Sequence, residues 1–163
     1  MKEAEHTYEA PTTGSKIPAG VVHYLDGNEL LTKTQALRLS TVDADGWPHS
    51  ALLSAGDMVV LPSGRIRLAL FTQSRMTSNL EREGRLTMAL SLDGGICELR
   101  LRSRRVAHST PDVPLAFFEA EVETVRQHVA PYASVTGGIT FALHDPQAVL
   151  PRWQRQIAAL RAA

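Results

Sequence analysis

The stretch RIRLALFTQSRMTSNLEREGRL, Arg65–Leu86, decides how the chain reads. It opens with alternation: Ile66, Leu68 and Leu70 on one face, Arg67 and Ala69 on the other. That two-residue period belongs to a half-buried strand. The period then changes. Thr72-Gln73-Ser74 is polar, and the run from Arg75 to Glu83 carries Met76 and Leu80 four positions apart before Gly84. A hydroxyl residue ahead of such a run is an N-cap, and a glycine behind it is a C-cap. The stretch therefore predicts strand, polar junction, a helix over 75–83, and another strand.

The junction is where chemistry is expected. A helix N-terminus offers free backbone N–H groups and the positive end of a dipole. Thr72 and Ser74 add hydroxyls, and Arg75 adds a planar cation suited to phosphate. Such a junction can bind an anion. It can equally be an ordinary capped helix with a solvated arginine, and the local residues leave both readings open.

Upstream, QALRLSTV (35–42) is strand-like, and Asp43-Ala44-Asp45-Gly46 is a hairpin turn. Trp47-Pro48-His49 leads into a long extended run, Ser50 to Leu61, with a bend or bulge at Gly56-Asp57. Pro62-Ser63-Gly64-Arg65 turns back into the opening stretch. Downstream, residues 85–93 alternate, with Leu86, Met88, Leu90 and Leu92 on one face. Residues 97–106 alternate too, Cys97, Leu99 and Leu101 against Glu98, Arg100 and Arg102. Short strands with even turn spacing suggest a small barrel.

Asp26–Leu31 is expected as a short helix. A longer helix is expected over 111–129, with Leu115, Phe118, Val122 and Val125 on one stripe. Residues 137–143 are expected as a sixth strand and 147–161 as a final helix. Residues 1–19, rich in Pro, Thr, Gly and charge, are expected as a flexible arm, and 20–163 as a single domain.

The whole chain sets bounds. At 163 residues it is one ordinary domain, with 44% hydrophobic and 21% charged residues. Lys+Arg and Asp+Glu both number 17, so no global charge argues for nucleic acid or an anionic membrane. The lone Cys97 cannot form an internal disulfide, and the polar N-terminus lacks the apolar core of a signal peptide. The expectation is a soluble, cytoplasmic protein. The six histidines have no ligand spacing, so no metal site is expected. His49 stands apart beside Trp47. Arg100, Arg102, Arg104 and Arg105 make a basic row on the fifth strand. Without interleaved aromatic residues, that row reads as a solvated face paired with acids.

Taken in order, LRLSTVDADGWPHSALLS, then RIRLALFTQSRMTSNLEREGRLTMALSLDG, resembles the pyridoxamine 5'-phosphate oxidase-like family of FMN-binding split barrels. The matching pieces are Ala36 to Pro48, Phe71-Thr72, Ser74-Arg75-Met76 with Asn79-Leu80, and Glu83 to Leu86. The resemblance covers about residues 30–106. It implies a mainly β fold with flanking helices, a six-stranded antiparallel split β-barrel of Greek-key type. It also implies a homodimer with a flavin groove between subunits.

Carried over by position, the resemblance gives Thr72, Ser74 and Arg75 to the FMN phosphate, with Met76 and Asn79 in the same site. Leu52, Leu53 and Ser54, with Ala51, would lie along the flavin ring. Glu98 and Arg100, with Trp153 and Arg155, would come from the partner subunit. Met76 stands where many members have Lys, which implies weaker FMN binding. The activity implied is an FMN-dependent oxidoreductase acting on a small molecule. The alternative is a non-catalytic split-barrel dimer that holds flavin, haem or a deazaflavin for storage or sensing, or leaves the groove empty.

Overall fold

The computed structural model describes residues 8–163. In chain order its elements are β1 Thr12–Gly14, α1 Ala19–Tyr24, β2 Leu37–Val42, β3 Pro48–Leu53, β4 Met58–Val60 and β5 Ile66–Phe71. Then come α2 Arg75–Glu83, β6 Arg85–Leu92, β7 Gly95–Val106, β8 Leu115–His128 and α3 Pro146–Ala162. All strand pairs are antiparallel, in the order β3-β2-β6-β7-β8-β5-β4, with β1 added on β8.

The two ends of that order belong to one run of chain. β3 stops at Leu53 and β4 starts at Met58, so a four-residue bend joins the strand paired with β2 to the strand paired with β5. The sheet thereby curls back on itself. Counting β3 and β4 as one bent strand gives six barrel strands, β1 being extra. The bend is held from within: one Asp57 carboxylate oxygen accepts from Ser54 N at 2.9 Å and from Ser54 Oγ at 2.8 Å. Alternation fills the interior. Leu37, Leu39, Met58, Ile66, Leu68, Met88 and Leu99 are each 0% exposed, and each such side chain contributes about 1.5–3 kcal/mol by leaving water.

The sixth strand is not the expected one. Residues 111–129 do not form a helix; β8 runs through them, paired with β5 on one side and β7 on the other. Ala116 to Ala120 are all buried. A strand covered on both faces loses the two-residue period that would have betrayed it. Its Ala and Glu residues favour helix in isolation, and pairing on both edges overrides that preference. The expected strand at 137–143 is reduced to one bridge, Gln35 to Thr140, flanked by hydrogen bonds from Ala36 N and Phe141 N. The two edges of β2, which follows Gln35, are taken by β3 and β6.

Smaller differences follow the same logic. Asp26–Leu31 is not a helix. The Asp26 carboxylate accepts from Asn28 N and from Lys33 Nζ, which makes a turn, and only Leu30–Thr32 winds, as one 3-10 turn. Of the arm expected over 1–19, Thr12–Gly14 pairs with Val125–Gln127 of β8. Residues 1–7 lie outside the described residues.

The two longer helices keep their expected places. Ser74 caps α2 by accepting from Thr77 N at 3.1 Å, and Gly84 ends it at φ 66°, its N–H bonded to Leu80 O. α3 buries Trp153, Ile157 and Leu160 against the bend and β5. Trp153 sits directly over Gly56, where a Cβ would come within 2.2 Å of the indole. At the other end of α3, Arg67 donates to Leu160 O at 2.7 Å and to Glu119 at 2.9 Å, tying the helix C-terminus to the sheet. Glu119 also accepts from Arg65 and Arg104. Among the described residues, no helix is long and apolar enough to cross a membrane.

Candidate functional site

The barrel is closed at one end and split at the other. The pairing of β4 with β5 ends just past Met58–Leu68, with a last bond from Ala69 N to Asp57 O at 2.9 Å. Beyond that point the chain bends at Ser54–Asp57, and β3 pairs only with β2. One edge of β3 and one edge of Ala69–Phe71 are left without a strand partner among the described residues. Between these splayed edges lies a cavity of about 450 Å³. Its walls are His49 and Ala51–Leu53 from β3, Ala69–Phe71 from β5, and Val113–Leu115 leading into β8. A cavity of this size, mostly apolar with a few polar groups, suits a small molecule.

One end of the groove meets α2. Ser74 and Met76 both line it. Ser74 Oγ lies 3.0 Å from Thr77 Oγ1, and the Thr77 hydroxyl already donates to Phe71 O at 2.7 Å, so Ser74 is the donor of that pair. The N–H groups of Arg75 and Met76, the first two of the helix, find no acceptor among the described residues. They are two of the orphan donors every helix start carries.

Arg75 is two-thirds exposed, and its guanidinium lies 3.3 Å from Asp43. Asn79 is 3% exposed and faces the same acid: its amide donates to Asp43 and to Thr41 Oγ1, each at 2.9 Å. Arg82 in turn donates to Asn79 Oδ1. The Asn79 hydrogen bond, and after a smaller opposing desolvation the Arg75 charge, hold the Asp43 carboxyl below its usual range. Asn79 is thus a strut between α2 and the β2–β3 hairpin.

The closed end of the groove is floored by Asp57 and Gln156. The Gln156 amide donates to Asp57 at 3.1 Å and to Gly56 O at 3.2 Å, so α3 grips the bend in the long strand. Arg152, one turn earlier on α3, lines the groove, and so does Asp112 on the loop before β8. A second, more open cavity lies on the other side of Val113–Leu115 and holds Thr72, Arg105 and His108. His108 stacks on Phe117 and bonds Leu115 O at 2.7 Å.

The residues singled out in the sequence are distributed unevenly. Leu52, Leu53, Ser74 and Met76 come together in the groove. The Met76 side chain is 2% exposed and belongs to the core, so what this position can offer an anion is its backbone N–H. Arg75 and Asn79 meet on Asp43, Thr72 lines the second cavity, and Ser54 is spent on the bend. Trp153 is buried over Gly56 and Arg155 is exposed, and α3 reaches the groove through Arg152 and Gln156. Sequence reading missed Asp57, Asp112, Arg152 and Gln156. A polar pair at i and i+4 flanking a buried tryptophan was the available signal for the last two. The basic row is paired as expected: Arg100 with Glu98, Arg102 with Glu123, Arg104 with Glu119 and Arg105 with Glu81.

No family model matches the chain. A protein of Bacillus subtilis, the uncharacterized YclD, is 32% identical over 139 residues, covering 84% of this chain and 90% of that one. Among solved structures, a pyridoxamine 5'-phosphate oxidase-like protein of Lactobacillus delbrueckii aligns at 18% identity and TM-score 0.55, covering 72% of this chain and 98% of that one. HupZ of Group A Streptococcus aligns at 16% identity and TM-score 0.54, covering 74% and 100%. At these identities the solved structures speak for the fold. The chain belongs to the same family as B. subtilis YclD and has the split-barrel fold of the pyridoxamine 5'-phosphate oxidase-like proteins.

Proposed function

We propose that the protein is a cytoplasmic FMN-dependent oxidoreductase that acts on a small molecule and works as a homodimer. The observation that carries the reading is the meeting of two features at one place. Ser74 and Met76, at the start of a helix whose first N–H groups have no acceptor among the described residues, line a 450 Å³ groove walled by an unpaired strand edge. The first feature suits a terminal phosphate. The second suits a flat ring with polar edges, which β3 can meet with backbone groups. The residues present therefore fit FMN, and bound flavin would supply the hydride or electron transfer.

The chain's own part is to bind, orient and exclude water. Leu53, Ala69 and Leu70 give the ring an apolar bed, and the Asp57–Gln156 pair closes the end of the groove. Trp47, Leu52 and Phe71 are 70%, 52% and 71% exposed, with Leu52 and Phe71 in the groove wall. Apolar residues exposed together at a groove support cover by a second copy of the chain.

The test is the visible spectrum of protein purified without added flavin, followed by titration with FMN and with a deazaflavin, which carries the same phosphate. Saturable FMN binding is expected, and Arg75→Ala is expected to weaken it about tenfold, the worth of one charge-assisted contact partly engaged by Asp43. Absence of saturable binding refutes the reading. Sedimentation of the protein as a monomer refutes the intersubunit site.

A further inference from the structure

We propose, resting on the flavin reading of the groove, that Arg152 binds the carboxylate of the second ligand, and that this ligand is a small, flat, mainly apolar monocarboxylic acid.

The argument begins with which cations are free. Arg65, Arg67 and Arg104 are committed to Glu119, Arg75 to Asp43, Arg102 to Glu123 and Arg105 to Glu81. Arg152 lines the groove and, among the described residues, has neither an acidic partner within 4.0 Å nor a hydrogen bond. Among the described residues, no other arginine or lysine lines that cavity. Asp57 on the groove floor makes no ion pair with it. One oxygen of Asp57 is taken by Ser54 and the other by Gln156, the residue one turn along from Arg152 on the same face of α3.

A guanidinium beside an apolar, half-enclosed space gains most from an anion that comes in with its own apolar body. Arg152 is exposed, so the pair rests on the bidentate fit of a carboxylate to the planar fork. Leu52, Phe71, Val113 and Leu115 supply the apolar walls for that body. Asp112 sets the charge of the ligand. It lies on the groove wall with no cation within 4.0 Å among the described residues, and it repels a second negative group. One carboxylate, turned towards α3, is what the two residues together admit.

The probe is benzoate, with benzamide as its neutral isostere, titrated calorimetrically into FMN-loaded and as-purified protein. Benzoate is expected to bind at least about tenfold more tightly than benzamide. Arg152→Gln is expected to abolish that preference while leaving the FMN dissociation constant within about twofold, and Arg152→Lys to retain part of the preference. Asp112→Asn is expected to leave benzoate binding unchanged or to tighten it. Equal binding of the two probes, no binding of either, or a benzoate preference that survives Arg152→Gln overturns the proposal. So does a loss of FMN affinity in Arg152→Gln, which would assign the cation to the flavin. The two readings fail separately. An Arg152-dependent benzoate preference without FMN binding removes the flavin and keeps the acid site, whereas FMN binding without the preference does the reverse.

Discussion

Glu119→Gln tests how the groove is held in shape. Glu119 is 5% exposed and accepts from Arg104 at 2.8 Å, Arg67 at 2.9 Å and Arg65 at 3.2 Å. Glutamine keeps the shape but removes the charge and turns one acceptor into a donor that faces arginines. Removing one partner of a buried ion cluster costs about 3 kcal/mol, the low end of the range, because Arg65 and Arg104 still reach water. For a chain of this length that is a fall in Tm of about 6–12 °C.

The pH dependence supplies the discriminating measurement. Burial pushes the Glu119 carboxyl up, but the hydrogen bond and charge of Arg67, with the charges of Arg104 and Arg65, outweigh it and hold the group below its usual range. A carboxyl depressed on folding stabilises above its unfolded pKa and loses that contribution as pH falls through the folded value. Calorimetric scans from pH 7 to pH 3 should therefore show the gap between wild type and Glu119→Gln narrowing towards acid. A gap that stays constant over that range, or a fall in Tm under about 2 °C at pH 7, refutes the account of the cluster. Because Arg67 also holds Leu160 O, the variant should loosen α3 at its C-terminal end, read as faster amide exchange there.

Two further outcomes follow from contacts already described. Asn79→Ala removes the amide that bonds buried Thr41, so it should cost roughly 1–2 kcal/mol in urea unfolding. It should also free the β2–β3 hairpin from α2, and an unchanged midpoint would show that Asn79 is not a strut. Cys97 is buried, and desolvation, with a smaller contribution from the Asp93 charge, pushes its thiol up to about 11. It should resist a thiol reagent at pH 8 in native protein and react at once in urea, whereas prompt reaction in native protein would place it at the surface.

The parts legible in the sequence are those whose signals are local. The cap at Ser74 and the stop at Gly84 lie three and four residues from the groups they bond, and both stand where expected. The alternation of β5, β6 and β7 likewise reports its own burial. β8 failed the same test because Ala116 to Ala120 are buried on both faces, which leaves no period. The groove was least legible. Its floor joins Gln156 to Gly56 across 100 positions, and its Asp43–Arg75 contact spans 32. No spacing rule reaches that far. The resemblance reached Ser74 and Met76 because both sit at a single junction. Gln156 at the floor and Arg152 come from α3, which carries no motif.

The grip of α3 on the bend also bears on how the protein is made. All eight strands precede residue 146 in the chain, while the groove floor depends on Trp153 over Gly56 and Gln156 on Asp57. Strands can pair as the chain leaves the ribosome, yet the groove has no floor until α3 has emerged and docked. A translation product that stops before Pro146 would carry the barrel strands and an open-ended groove. A small molecule that needs that floor would have nothing to rest on until the helix is in place.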